Sequence, residues 1–260
     1  MSGVPKSKLS EMHKSFDDFA LGYSHSLTLN EIHYARLKAD LESFARKAKA
    51  TEAAKAYAQL AHLVSYKFDS VKFFDYLSRA EGLAGRNEDW CYGYLSGAVN
   101  LGYFSEARQL IDSVGYDNDV WWLNYKFNIY SSMCLFEQAL ECARSLVKMS
   151  SEDHDLVRVP SLVPALLKAY ELIGQSGIDS EKIFEMVCVA AKVIGEKLRK
   201  PLAKYSLSAD FESGVLYSFS LNEPAEVMVD LEWQIMEHLV EEVDLDASGL
   251  FTVNVSYPSQ

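Results

Sequence analysis

The chain has 260 residues and a mass of 29.3 kDa, with 49% hydrophobic and 24% charged residues, a balance that fits a globular fold and excludes disordered, collagen-like and coiled-coil compositions. Its 25 basic and 37 acidic residues give a net charge of −12, and the excess is segregated. Residues 1–200 hold 24 Lys or Arg and 26 Asp or Glu, whereas residues 201–260 hold one Lys and 11 acids.

The first residues, MSGVPKSKLSEMHKSFDD, lack the roughly 7–15-residue apolar stretch of a secretory signal, and 1–27 reads as an N-terminal extension. The longest apolar stretch, near Met186 to Gly195, is broken by Lys192 and falls short of the ~18 apolar residues of a bilayer span. A cytoplasmic protein without membrane contact is expected. Cys91, Cys134, Cys142 and Cys188 contain no C-x-x-C pair, which points to reduced thiols. No histidine stands at ligand spacing from a cysteine or another histidine, so neither a metal nor another cofactor is expected.

From Thr28 to about Lys200 apolar residues recur at steps of three and four, which predicts a helical domain over 28–200. Thr28-Leu-Asn-Glu31 has the spacing of a capping box, with the threonine at the N-cap. Asp117-Asn118-Asp119 and Asp179 offer further cap acceptors, while Gly174 and Gly177 divide a last long pair of helices over 161–200. Phe68, Phe104 and Phe136 each separate one helix from the next, 36 and 32 residues apart. LGYFSEARQLI (101–111) and MCLFEQALECA (133–143) fall in step on this alignment. Small residues at Ala107 and Ala139 start the second helices, and Leu95, Ala98, Phe127 and Tyr130 mark the first. A looser unit carries Leu60, Ala61 and Val64, then Phe73, Leu77 and Ala80.

Over about residues 54–148 this pattern resembles the tetratricopeptide repeat, a helix–turn–helix unit of about 34 residues. The closing proline of that family is missing from all three units, and Phe73 stands where it has an alanine. The resemblance implies an α-solenoid of stacked helical hairpins, whose first helices would line a concave binding surface.

After Pro201 the period changes to two. Tyr205, Leu207, Ala209 and Phe211, then Val215, Tyr217, Phe219 and Leu221, alternate with polar residues around a turn at Glu212-Ser213-Gly214, which predicts a hairpin. Asn222-Glu223-Pro224 opens a helix with a buried stripe of Val227, Leu231, Ile235, Leu239 and Val243. Phe251, Val253, Val255 and Tyr257 form a last strand, reached by a connection long enough for a parallel crossover. The expected fold class is mainly α, an α-solenoid followed by an acidic ββαβ module over 201–260.

Candidate binding residues follow from the repeat alignment. His62 with Ser65, then Tyr92, Ser96 and Asn100, then Asn124, Asn128 and Ser131 are the polar positions of the first helices. Their amide and hydroxyl groups suit the backbone of an extended peptide. Trp121-Trp122 with Tyr125 is an aromatic concentration with a packing role. On the last helix Glu237, Glu241 and Glu242 form an acidic face, with His238 among them. Ser151 to Asp155 reads as a polar linker. No phosphate loop or nucleophile elbow is present in the sequence, and no catalytic residue is assigned. The charge balance disfavours nucleic acid and matches a basic protein surface. The expected role is therefore a non-enzymatic protein-binding module, a neutraliser of the immunity or antitoxin kind or an adaptor. An enzyme with a dispersed site, or a homodimer joined through a free sheet edge, are the alternatives.

Overall fold

Eleven helices and three strands form among the residues described by the computed structural model, which are 8–115, 119–150, 161–243 and 249–258. The fold is mainly α, closed by a small three-stranded sheet near the C-terminal end. The described chain divides into two compact units. One runs to Leu101 and regains Arg199–Ala203, and the other comprises Gly102–Leu198 and the chain from Lys204 onward.

The first unit contains α1 (Lys8–Ser26), α2 (Glu31–Ala45), α3 (Ala50–Ser65), α4 (Ser70–Ala84) and α5 (Glu88–Asn100). The helices thus begin well ahead of Thr28. Leu9, Met12, Phe16, Phe19 and Tyr23 recur at steps of three and four along α1, and all five are buried. The cap of α2 is Asn30, whose side chain accepts the His33 N–H at 3.0 Å. The Thr28 hydroxyl donates to the Ser26 carbonyl, and Thr28 stands two residues ahead of the observed cap.

Helix α3 lies against α2, α4 and α5, and its alanines allow close approach. At Gly93 of α5 an added Cβ would stand 2.5 Å from the Ala58 carbonyl oxygen, and at Gly97 it would stand 2.3 Å from the Phe73 ring. Glycine is required at Gly93 because the obstacle is backbone, which cannot rotate away.

The turns after α3, α5 and, in the second unit, α7 (Val120–Ser132) each place one residue in the left-handed region: Phe68 at φ 53°, Gly102 at 76° and Cys134 at 55°. At Phe68 the N–H bonds back to Ser65 and the next N–H, of Asp69, reaches Val64; Cys134 and Leu135 repeat the pattern onto Ser131 and Tyr130. Both are Schellman closures, which satisfy carbonyls that the last helical turn leaves open. The equivalent positions are therefore 34 and 32 residues apart. The spacing of 36 expected from Phe68 to Phe104 joins unlike sites, since Phe104 and Phe136 open helices while Phe68 precedes α4 by two residues.

The second unit contains α6 (Phe104–Ser113), α7, α8 (Phe136–Ser150), α9 (Val163–Ser176), α10 (Ser180–Leu198), β1 (Tyr205–Asp210), β2 (Gly214–Ser220), α11 (Ala225–Glu242) and β3 (Phe251–Ser256). Asp119 caps α7 by accepting the Trp122 N–H at 3.0 Å; Asp117, Asn118 and the 151–155 linker lie outside the described residues. Asp179 accepts the Glu181 N–H at the start of α10. Helices α7 and α8 pack as a hairpin. Helix α9, however, lies against α8, β1 and β2, while α10 lies against β3 and α11, so the two helices of 161–200 pack mainly on other elements and not as the hairpin expected.

Strand β2 is central, antiparallel to β1 and parallel to β3. The register aligns Leu207, Tyr217 and Val253 across the sheet, with Tyr205, Phe219 and Val255 in the next row. These residues alternate onto one face, and all are buried except Tyr205, which is half-buried. That face shares its core with the helices of the unit: the Tyr217 hydroxyl donates to the Ser132 carbonyl at 2.7 Å, and Phe219 lies 6.3 Å from Phe104. Gly214 has φ 79° and a Cβ there would meet the Leu250 oxygen at 2.5 Å, which fixes glycine at the head of β2. No helix among the described residues is long and apolar enough to cross a membrane.

Candidate functional site

Three of the predicted binding residues, His62, Ser65 and Asn100, come together inside the first unit with Tyr92 and Ser96 at their side. Asn100 donates from its side-chain nitrogen to the Ser65 hydroxyl at 2.9 Å, and that hydroxyl donates to the His62 carbonyl at 2.6 Å. The Asn100 carbonyl accepts the Leu202 N–H at 2.9 Å. The His62 ring sits among Phe16, Tyr66 and Tyr92, with ring centres 4.8, 5.5 and 5.7 Å away. Burial lowers its pKa to about 3, so the imidazole is neutral throughout the physiological range. Tyr92 and Ser96 are half-buried beside it; burial raises the Tyr92 phenol, and a hydrogen bond with Ser96 partly offsets this. The imidazole Nδ1 and the Gln59 side-chain oxygen, one helical turn apart, have no hydrogen-bond partner among the described residues, and each such group costs about 1–3 kcal/mol. His62 and Asn100 thus belong to an internal polar cluster and present no open row.

In the second unit Asn124 donates to the Val120 carbonyl one turn back at 3.1 Å, Asn128 is exposed, and Ser131 is fully buried. Ser131 interacts with the Tyr205 hydroxyl, whose pKa burial raises. Of that trio only Asn128 stands fully in solvent. Trp122 is buried, while Trp121 is half exposed and lies face to face with Tyr125 at 5.4 Å.

A cleft of about 350 Å³ in the first unit is formed by α2, α3 and α4. Lys38 pairs with Glu42 at 3.1 Å and Arg79 with Asp75 at 2.9 Å; the Tyr76 hydroxyl donates to Glu42 at 2.5 Å. Burial opposes ionisation of Glu42, but the Tyr76 bond and Lys38 together hold its carboxyl below the ordinary value. These charges neutralise one another, as a surface ion-pair network does.

Helix α11 carries the acidic candidates. Glu237 and Glu241 are exposed and have no counter-ion among the described residues, whereas Glu242 faces Lys192 at 3.5 Å. His238 turns its Nδ1 to the Gln234 carbonyl at 3.0 Å, within its own helix. Among the described residues no group of three His, Cys, Asp or Glu is arranged to hold a metal ion. The buried stripe is Met228, Leu231, Ile235 and Leu239, with Met228 in place of the expected Val227.

The same helix leaves Val229, Trp233, Met236 and Val240 exposed by 53, 73, 46 and 67%. This second apolar row was not anticipated. Its spacing of four, three and four was available in the sequence, but it competed with the stripe that faces the core.

No family model, no curated protein and no solved structure matches the chain.

Proposed function

We propose that this chain works by binding another protein, and that α11 is its recognition element for a basic partner surface. The carrying observation is the pair of exposed carboxylates Glu237 and Glu241, without counter-ions among the described residues, beside an apolar row in solvent. Charge of one sign speeds encounter with the opposite sign and rejects like-charged partners, and exposed apolar side chains supply burial once contact is made. The helices before the sheet are read as hairpins of the tetratricopeptide kind, a reading supported by the recurrence of left-handed turns at 34 and 32 residues. Their role here is to carry the recognition helix. Burial holds His62 neutral near pH 7, so this histidine is not a general acid there. A cytosolic setting agrees with a chain whose four cysteines contain no C-x-x-C pair, three of them buried.

The test is capture from the source lysate by immobilised chain at low and at moderate ionic strength, with the double variant Glu237→Lys/Glu241→Lys beside the wild type. A partner held at low salt, weakened at moderate salt and lost by the double variant is expected. Capture that ignores both salt and charge reversal would overturn the reading. Glu242 is left intact because it is tied to Lys192.

A further inference from the structure

Helix α11 has three long faces of different chemistry. Met228, Leu231, Ile235 and Leu239 face the core. Val229, Trp233, Met236 and Val240 lie on a separate arc in solvent, at the alternating four- and three-residue steps by which one helix lies along another. The row extends for about 16 Å, three helical turns. Next to it on the wheel run Glu226, Asp230, Glu237 and Glu241, all exposed. From Ala225 to Glu242 there are six acids and no Lys or Arg.

We infer that this double row is the docking face for a basic amphipathic helix of a partner protein. Its apolar ridge would rest on Val229, Trp233, Met236 and Val240, and its Lys or Arg side chains would stand over Glu226, Asp230, Glu237 and Glu241. The inference rests on the reading of α11 as the recognition element and names the kind of structure that α11 receives. Helical spacing selects a helix, because an extended segment repeats every two residues and falls out of step with a four-three-four row. Charge selects a basic one. A second copy of this chain would lay acid against acid with no cation on either α11 to relieve it. A lipid surface favours helices with Lys or Arg on the polar face, which α11 lacks.

The experiment uses the full chain and two synthetic peptides of identical composition. One places leucine at heptad seam positions with lysine and arginine alongside, and the other has the same residues in scrambled order. Binding is read by calorimetry and by tryptophan emission, with Trp233→Phe identifying the signal of that side chain. The amphipathic peptide is expected to bind with a blue shift that Trp233→Phe abolishes. Met236→Ser and Glu237→Lys/Glu241→Lys should each weaken it at least tenfold, with helical circular dichroism unchanged.

Equal binding of the scrambled peptide would overturn the helix inference while leaving an acidic recognition surface intact. Binding of neither peptide would also overturn it, and the lysate capture described above then reports separately on whether α11 recognises any basic partner. A dimer in light scattering that Trp233→Ser converts to monomer would assign the row to a second copy. Buried-type Trp233 emission in the free monomer would assign it to the chain itself. Either result overturns the inference.

Discussion

Helices α3 and α11 depart from the usual partition of residues in opposite directions. Helix α3 takes Gln59, His62 and Ser65 into the interior, whereas α11 leaves Val229, Trp233, Met236 and Val240 in solvent. The difference follows from their surroundings. Helix α3 is packed by α2, α4 and α5, so from Ala58 to Ser65 every residue is internal and its polar side chains must find partners there or go without. Helix α11 rests chiefly on α10 and β3, which leaves much of its circumference uncovered. A polar residue on a central helix is therefore a cost the fold carries, and an apolar residue on a peripheral helix is surface available to something else.

The sharpest way to break the comparison is at the α3–α5 contact. Gly93→Ala would drive a methyl group into the Ala58 carbonyl and is expected to cost about 3 kcal/mol in urea unfolding. Gly22→Ala on α1, where nothing lies within 4 Å, should instead be neutral or slightly stabilising. Equal effects at the two glycines would mean that α3 is not tightly enclosed.

Acid should act next most strongly. His62 stays neutral in the folded chain down to about pH 3, while in the unfolded chain it takes up a proton below its ordinary value of 6.5. Stability from this site is present above pH 6.5 and is lost as pH falls, by about 2 kcal/mol at pH 5. His13, also lowered by burial, acts in the same sense, so the quantity to follow is the difference between wild type and His62→Phe. Wild-type stability minus that of His62→Phe should fall by about 2 kcal/mol as pH goes from 7 to 5, and a constant difference would show that His62 is not held neutral.

Smaller still is the turn at Gly102, which has φ 76°. Gly102→Ala is expected to lower stability by about 1 kcal/mol, measured by thermal unfolding. Trp233→Ala should come last, within about 0.5 kcal/mol of wild type. A large loss there would mean that the row on α11 supports the fold, which would erase the contrast with α3.

The strands were legible from residue 201 onward because an alternation of two leaves little ambiguity, whereas the last helix was legible as a helix but carries two apolar rows, so that Val227 stood in the expected stripe where Met228 is buried. Helix α1 was equally open to reading, since Leu9, Met12, Phe16, Phe19 and Tyr23 repeat like a heptad. The left-handed turns were harder to align. Only Gly102 has the residue type that such a backbone prefers, whereas Phe68 and Cys134 adopt it under the demand of the helix ends they close. For the candidate site, polar residues at helical spacing on α3 and α5 looked like an open row, because a periodic pattern tells which residues share a face and leaves unsaid what covers that face. The Gly93–Gly97 pair held the missing signal, a spacing of four that brings α5 down onto α3 and α4.

The bond from Leu202 to the Asn100 carbonyl has a consequence for biosynthesis. The first unit recruits Arg199–Ala203 from beyond the end of α10, so its final strut is translated only after all of α6 to α10. As the chain leaves the ribosome, the N-terminal helices can gather early, yet their assembly is finished by residues that emerge much later. A nascent chain released before residue 202 would carry an unfilled Asn100 carbonyl beside the His62 cluster.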